Sequence, residues 1–185
     1  FRVVAPDWLG FGRTDKIFDF AGGRSRVFGH MCRFFEIMDV READFVGNSM
    51  GGSNLIRIAA APPPIFPIRS LVASSGGGFA PASEDRAKLL SYDGSPKSMR
   101  NLLDGLFYNK KKWVNNPSYV RKRQKFATMP GAWECAAAVR FKRPTIKSSG
   151  GQFGGADNTP YENISVPTLL IAGKQDGLRL PGYAR

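Results

Sequence analysis

The order of apolar segments along the chain predicts an α/β fold, with a mostly parallel sheet and helices on both faces. Residues 1–6, 42–47 and 68–78 are short apolar runs typical of buried strands, and the stretches between them have helical patterns. Strands that alternate with helices usually pair in parallel through right-handed crossovers. One domain, or one domain with a large insertion, is expected for 185 residues.

The helices and the last strand of this predicted fold follow from spacing and from prolines. A helix is predicted over residues 24–38, because apolar side chains recur there at three- and four-residue spacing: Val27, Met31, Phe34, Phe35 and Met38. A second helix is predicted over 50–61 and ends at the prolines 62–64, which cannot continue a hydrogen-bonded turn. Residues 166–173, VPTLLIAG, are another apolar run, so the sheet resumes there.

A helical lid is predicted between the two parts of the sheet. Residues 77–158 are richer in Lys, Arg and helix formers than the flanking sequence, which we assign to the α/β core as residues 1–76 and 159–185. Helices are predicted within the lid at residues 98–106, 118–128 and 132–140.

The positive charge of the chain lies mainly in this lid. The net charge is +12, and residues 97–147 contain thirteen Lys or Arg but only Asp104 and Glu134 as acidic residues. Solvated helix faces, phosphate binding and steering of a small anionic substrate all remain open. The sequence has no aromatic-interleaved basic motif, zinc spacing or RNA-recognition pattern, so no nucleic-acid partner is predicted.

Membrane insertion, secretion and metal binding receive no support from the sequence. No apolar run approaches the roughly 18 residues of a membrane span, and no leader pattern is present. Cys32 and Cys135 lie far apart without metal-ligand spacing, which favours buried thiols in a reducing compartment such as the cytoplasm. We expect no metal and no cofactor.

Ser49 is the candidate nucleophile. A serine hydroxyl needs a neighbouring base and oxyanion donors before it can attack at neutral pH. The segment Gly47-Asn48-Ser49-Met50-Gly51 follows a predicted strand and opens a predicted helix, so it predicts a strained turn in which backbone crowds both glycines. The Met50 N–H, at the helix start, would face the developing negative charge. An incidental serine in a Gly-rich turn is the alternative.

Asp176 is the candidate acid that orients a catalytic histidine. It follows the predicted strand at 166–173, at the sheet edge where loops after strands gather. A carboxylate there would hold the imidazole and stabilise its cation. Asp7 also follows a predicted strand, but it precedes Ser49 and lies in a Gly-rich turn, so we interpret it as a structural turn residue.

These segments together resemble the α/β-hydrolase superfamily. The resemblance rests on the turn at Ser49, on DWLGFGRTD at 7–15, which matches a D-x-x-G-x-G-x-S/T pattern, and on VPTLLIAGKQD at 166–176. GNSMGG at the serine and MPGAWE at 129–134 further resemble the meta-cleavage-product hydrolases, which cut carbon–carbon bonds in ring-fission products of aromatic degradation. The implied fold is the α/β-hydrolase fold with a helical lid.

The resemblance also implies roles for individual residues. It implies a Ser–Asp–His triad with Ser49 as nucleophile and with Asp176, in a G-x-x-D segment that begins at Gly173, as acid. It implies that Arg123, about seven residues before the lid's Pro-Gly, contacts an anionic substrate of the 2-hydroxy-6-oxo-dienoate type. Arg123 lies among Arg121, Lys122 and Lys125, so a solvated helix face is an equally good interpretation.

The chain departs from the family pattern in its histidine and its oxyanion loop. The only histidine, His30, precedes Ser49 and falls on the polar side of the first predicted helix, as a surface residue would. The family's catalytic histidine follows the acid, and its second oxyanion donor comes from a loop before the first strand. We therefore expect an internal fragment of a longer protein, inactive alone on ester substrates.

Other functions remain open. A carboxylesterase or lipase-like enzyme would use the same catalytic residues under a different lid, and a non-catalytic protein of this fold would bind anions or an acidic partner through the lid. Epoxide hydrolases and haloalkane dehalogenases are disfavoured, because they carry aspartate where Ser49 stands. A homo-oligomer is compatible with the sequence.

Overall fold

A computed structural model describes residues 1–17, 23–132, 134–135 and 157–179. The chain divides into two compact units. The first, here called the helical unit, comprises Phe1–Arg33 and Asp85–Gly151, and the second, here called the sheet unit, comprises Phe34–Glu84 and Gln152–Arg185. The predicted boundaries of core and lid remain predictions.

The sheet unit contains a parallel sheet, as the sequence predicts. Its described strands are β1 (Ala43–Asn48), β2 (Ile68–Ser74) and β3 (Thr168–Ile171), in the spatial order β1-β2-β3. Both pairings of β2 are parallel. The carboxyl ends of all three strands therefore meet at one edge of the sheet, which is where such folds bind ligands.

Helix α2 (Met50–Ala60) follows β1 and packs against β1 and β2. The core between them is apolar, with Ile56 and Ile58 of α2 and Leu71 and Ala73 of β2 all buried. Beyond α2, Ala61 has an extended backbone, and the prolines that follow prevent further helix. This burial holds the start of α2 at the carboxyl end of β1.

Helix α1 (Gly23–Ile37) matches the predicted helix and ends in the sheet unit. Near its end, the Phe35 ring packs edge-on against Phe45 and Phe66, with centroids 5.4 and 5.0 Å apart. Such aromatic pairs add to the free energy of apolar burial. They connect the end of α1 to β1 and to the segment before β2.

The helical unit holds most of α3 (Glu84–Leu90) and all of α4 (Pro96–Leu106), α5 (Lys110–Trp113) and α6 (Pro117–Ala127). Helices α4 and α6 pack together around a small apolar core. The buried members of this core are Tyr92, Met99, Leu103, Val114 and Val120.

Capping residues set where α4 and α6 begin. The Ser95 side chain accepts a hydrogen bond from the Ser98 N–H, and the Asn116 side chain accepts from two amides of the first turn of α6. A proline follows each cap, a position where its missing N–H costs nothing. The helices predicted to begin at 98 and 118 therefore begin slightly earlier.

The structure differs from the sequence predictions in one strand and adds two short helices. The strand predicted over residues 1–6 is wrong, since these residues pair with no described strand and Phe1 and Val3 are exposed. Helices α3 and α5 were not predicted, because both are too short to give a periodic pattern. Of the helix predicted over 132–140, the described residues 132, 134 and 135 are helical, and the other residues lie outside the described part of the chain.

In the part of the chain that the structure describes, no helix combines the length and the apolar character needed to cross a membrane.

Candidate active site

Ser49 lies on a sharp turn between the last residue of β1 and the first residue of α2. Its backbone has φ 50° and ψ −114°, a conformation that costs a residue with a Cβ roughly 1–3 kcal/mol. Hydrogen bonds hold the turn from both sides: the Ser49 N–H donates to the Ser74 carbonyl over 2.8 Å, and the Ser49 carbonyl accepts from the Ser53 N–H over 2.9 Å. The half-buried Ser49 side chain does not cap α2. The strained turn predicted from the sequence is therefore present.

Close backbone contacts between glycines surround this turn. A Cβ built on Gly47 would lie 2.6 Å from the Gly52 nitrogen, and one on Gly76 would lie 2.7 Å from both the Cα and the carbonyl carbon of Gly52. The crowding predicted at Gly47 is confirmed. The crowding predicted at Gly51 is wrong, because a Cβ there would meet no atom within 4 Å.

Gly52 and Gly76 are thus the crowded glycines that sequence reasoning missed. Gly76 follows β2, and Gly52 lies in the first turn of α2, so their contact requires β1 and β2 to be neighbours. The available signal was the pair of glycines after Met50 together with the glycine run at 76–78.

Met50 is the first residue of α2. Its backbone N–H belongs to the helix N-terminus, where aligned peptide dipoles give a partial positive charge. An oxyanion would be stabilised at this position. Donation to an oxyanion by Met50 stays a prediction.

Asp176 lies in a tight turn after β3. Its N–H donates to the Gly173 carbonyl over 3.2 Å, and its Oδ1 accepts from the Leu178 N–H over 2.9 Å. The residue is half-buried. Because the strands are parallel, Asp176 after β3 and Ser49 after β1 lie at the same edge of the sheet, with the carboxyl end of β2 between them.

The loop of three glycines at residues 76–78, which follows β2 and is here called the glycine loop, is held by side chains from elsewhere in the sheet unit. The Gly77 N–H donates to Ser53 Oγ over 2.9 Å, and the Gly78 N–H donates to the Tyr161 hydroxyl over 2.6 Å. Arg179 donates from Nη1 to the carbonyls of Gly78 and Phe79 over 3.3 and 3.4 Å, and from Nη2 to Ser53 Oγ over 3.2 Å. Sequence reasoning singled out none of these side chains.

Tyr161, in a short 3₁₀ helix (Tyr161–Asn163), also donates its hydroxyl hydrogen to Asp157. Burial raises the pKa of Asp157, but hydrogen bonds from Tyr161 and Thr159 outweigh this effect and bring the pKa below its usual range. Burial and then the bond to Asp157 raise the pKa of Tyr161. The tyrosine hydroxyl therefore stays protonated, donating to Asp157 while it accepts from the Gly78 N–H.

Arg123 and His30 are both exposed. His30 lies on α1, and the prediction that it is a surface residue is confirmed. Arg123 lies on α6 in the helical unit, and its predicted contact with substrate stays a prediction. The cations around it on α6 are exposed as well: Arg121, Lys122 and Lys125.

Asp7 holds a turn, as predicted. Its Oδ2 accepts from the Arg13 N–H over 3.0 Å, and its carbonyl accepts from the Thr14 hydroxyl over 2.9 Å. Gly12 has φ 49°, and a Cβ there would lie 2.1 Å from Asp7 Oδ2. The second glycine of the D-x-x-G-x-G pattern is therefore explained by the space that the Asp7 carboxylate needs. The first, Gly10, has φ 87°, and a Cβ there would lie 2.8 Å from the Cβ of Cys135.

Neither of the two cysteines forms a disulfide. Cys135 is buried, and its Sγ donates to the Ile17 carbonyl over 3.3 Å, whereas Cys32 is half-buried. Burial raises the pKa of the Cys135 thiol, which makes it a poor nucleophile. Within the described residues, no three His, Cys, Asp or Glu side chains are grouped so that they could hold a metal ion.

Comparison with known proteins finds one family along the whole chain. A family model described as "Alpha/beta hydrolase family" matches residues 1–185. Among curated proteins, the chain is 29% identical over 175 residues to the 2-hydroxymuconate semialdehyde hydrolase of Pseudomonas putida, covering 95% of this chain and 60% of that protein.

Solved structures share the fold. The meta-cleavage product hydrolase CumD of Pseudomonas fluorescens IP01 superposes with a TM-score of 0.73 at 22% identity, over 96% of this chain and 63% of that one. The 2-hydroxy-6-oxo-6-phenylhexa-2,4-dienoate hydrolase BphD of Rhodococcus sp. strain RHA1 gives 0.69 at 16% identity, over 94% and 62%. The chain thus spans about three fifths of the length of these relatives.

Proposed function

Because this chain belongs to the alpha/beta hydrolase family, we propose that it forms part of a serine hydrolase in which Ser49 is the nucleophile and Asp176 is the acid of the triad. The observation that carries the proposal is the backbone of Ser49, which is held at φ 50° between β1 and α2. Strained backbone conformations of this kind cluster at functional sites, where the surrounding structure holds them in place.

The proposed reaction begins when a histidine base removes the Ser49 proton and Oγ adds to a substrate carbonyl. The Met50 N–H donates to the oxyanion, and Asp176 orients the imidazole and stabilises its cation. His30 is exposed on α1 and is not proposed as this base. We propose that the base and a second oxyanion donor come from residues outside this chain.

The proposed substrate is a small anionic 2-hydroxy-6-oxo-dienoate, by analogy with the relatives named above. The dienol would first tautomerise, with the proton of its 2-hydroxyl passing to C5. Addition of Ser49 to the C6 ketone and collapse of the oxyanion would then break the C5–C6 bond, and the electron pair would be delocalised through the C3–C4 double bond to the C2 carbonyl, giving a dienolate that takes up a proton. Water would then release the acyl group from Ser49 as a carboxylic acid. The proposal includes a cytoplasmic location and does not require an oligomer.

Arg123 is proposed to bind the substrate's carboxylate. A guanidinium can donate two parallel hydrogen bonds to a carboxylate, and the exposed cations beside it on α6 would attract the anion. The long-range attraction between these exposed cations and the anionic substrate weakens as salt is added. A bidentate pair between Arg123 and the carboxylate that excludes water is less sensitive to salt.

The test compares Ser49→Ala with Ser70→Ala in a polypeptide that extends this chain, on a 2-hydroxy-6-oxo-dienoate and on a p-nitrophenyl ester. Ser70 is a half-buried serine near the amino end of β2, hydrogen-bonded to Asp44. Loss of a catalytic serine removes roughly 10⁴-fold or more of kcat, so Ser49→Ala abolishes dienoate turnover and Ser70→Ala leaves it intact. The chain by itself is expected to show no Ser49-dependent ester turnover.

Each contrary result points to a specific alternative. A large preference for the ester would replace the carbon–carbon reaction with a carboxylesterase or lipase-like activity. Ser49-dependent turnover by the chain alone would contradict the assignment of the base to residues outside it. Activity on neither substrate, together with anion binding that weakens linearly in log–log terms with salt, would favour a non-catalytic binding protein.

A further inference from the structure

The loops that follow β2 and β3 are fastened together by the side chain of Arg179. Its guanidinium donates to the carbonyls of Gly78 and Phe79, at 3.3 and 3.4 Å, and to Ser53 Oγ at 3.2 Å. Arg179 lies three residues after Asp176, in the turn that carries the proposed acid. Its half-buried side chain therefore ties that turn to the glycine loop and to α2.

Ser53 connects this arginine to the turn of the proposed nucleophile. Ser53 is one helical turn after Ser49, and its N–H donates to the Ser49 carbonyl over 2.9 Å. Its Oγ accepts from the Gly77 N–H over 2.9 Å as well as from Arg179. A continuous hydrogen-bonded path thus runs from the Ser49 turn through Ser53 and Arg179 to the turn of Asp176.

A second contact supports the same fastening. The Ser83 hydroxyl donates to the Gly177 carbonyl over 2.9 Å, so the acid's turn is bound to the segment after β2 at two points. Within the turn, Asp176 Oδ1 accepts from the Leu178 N–H, which fixes the carboxylate to its own backbone. A displacement of the whole turn would therefore displace this carboxylate at the sheet edge.

We propose that Arg179 is a positioning residue for Asp176, which sets the distance and direction of the acid's turn relative to the start of α2. The inference rests on the proposed function, because it takes Asp176 as the triad acid. Arginine suits the task because its planar fork donates in several fixed directions at once. A lysine at this position would offer a single charged centre and could not hold both carbonyls and Ser53 Oγ in the same geometry.

The experiment compares Arg179→Met, Arg179→Lys and Arg69→Met in a polypeptide that extends this chain and turns over substrate. Arg69 is the matched control, since its guanidinium donates twice to Asp44 in an exposed ion pair near the amino end of β2. Arg179→Met is expected to lower kcat by roughly 10²-fold with KM changed little, because a small displacement of a catalytic group costs about that much. Arg69→Met leaves kcat unchanged.

A pH profile separates positioning from loss of stability. A displaced Asp176 stabilises the imidazolium less, so the pKa of the histidine base falls and the acid limb of kcat/KM moves to lower pH in Arg179→Met. Ser53→Ala is expected to lower kcat and to move the acid limb of kcat/KM to lower pH as well. Combining Ser53→Ala with Arg179→Met should cost less than the sum of the two separate losses in log kcat, because both residues belong to one hydrogen-bonded path. Should Arg179→Met fail to fold, Arg179→Lys carries the test with an intermediate loss of kcat.

Amide hydrogen exchange of Leu178 and Gly77 gives a readout that needs no activity. Both amides are expected to exchange faster in Arg179→Met than in Arg69→Met. Unchanged exchange, or a kcat and pH profile equal to those of Arg69→Met, would overturn the positioning role. A parent protein without Ser49-dependent turnover would instead overturn the proposed function, and faster exchange would then leave Arg179 with a purely structural role.

Discussion

The sheet unit and the helical unit maintain their geometry by different means. Around Ser49 the structure depends on backbone atoms in close contact, at Gly47, Gly52 and Gly76, where no side chain fits. The helices α4 and α6 depend mainly on buried apolar side chains and on capping residues, with one crowded glycine, Gly105 on α4, whose Cβ would lie 2.5 Å from the Asp85 carbonyl oxygen. Backbone contacts permit almost no substitution, whereas an apolar core accepts other side chains of similar total volume. The turn of the nucleophile is therefore the more narrowly constrained of the two.

The largest effect on stability is expected in the apolar core of the helical unit. Leu103 is fully buried there, so Leu103→Ala removes apolar contacts and leaves a cavity, and should lower the free energy of unfolding by about 4 kcal/mol. Leu106→Ala, on the same helix but 39% exposed, should cost far less. Denaturant unfolding measures both, and equal losses would show that α4 does not rely on its buried face.

The next largest loss of stability is expected from a substitution that disrupts the backbone contacts of the sheet unit. Gly76→Ala introduces a Cβ 2.7 Å from two backbone atoms of Gly52 and should lower the free energy of unfolding by about 3 kcal/mol, at the upper end for overpacking. Gly51→Ala is the matched control, because its Cβ would meet nothing within 4 Å. Alanine is favoured over glycine in a helix by about 1 kcal/mol, so this control should be neutral or stabilising. A tolerated Gly76→Ala would refute the close contact.

The smallest expected effect is on the pKa of a carboxyl group, and one carboxyl group with a lowered pKa is compared in each unit. Hydrogen bonds from Ser98 and then Ser95 lower the pKa of Asp93 to about 2, and Arg69 with Ser70 lowers the pKa of Asp44 to about 2. A lowered pKa in the folded state means stability that is present above the unfolded pKa of 3.8 and lost as the pH falls through about 2. Ser98→Ala should raise the pKa of Asp93 and leave that of Asp44 unchanged.

Carbon-13 titration of the side-chain carboxyls measures both values. The acid transition of the Ser98→Ala variant should also begin at higher pH than that of the parent. A lowered pKa of Asp93 that survives the substitution would assign its cause to the backbone N–H of Ser95, which donates to the same carboxylate over 2.9 Å.

Sequence patterns were most informative where the structure is local. The turn at Ser49 combines a strand, a G-x-S-x-G spacing and a helix within a few residues, and the Asp176 turn directly follows an apolar run. Both could be predicted because neighbours in the chain decide them. The predicted strand over residues 1–6 was wrong for the opposite reason, since a strand exists only where another strand accepts its hydrogen bonds.

What the amino-acid sequence determined by itself is therefore the α/β order, the family and the candidate nucleophile and acid. Only the tertiary structure decided which glycines are crowded and what holds the acid's turn. Gly52 meets Gly76, and Arg179 reaches Ser53 across more than a hundred residues of chain, only because parallel strands bring their carboxyl ends to one edge. Periodicity and spacing report neighbours along the chain, whereas these contacts depend on which strands lie side by side.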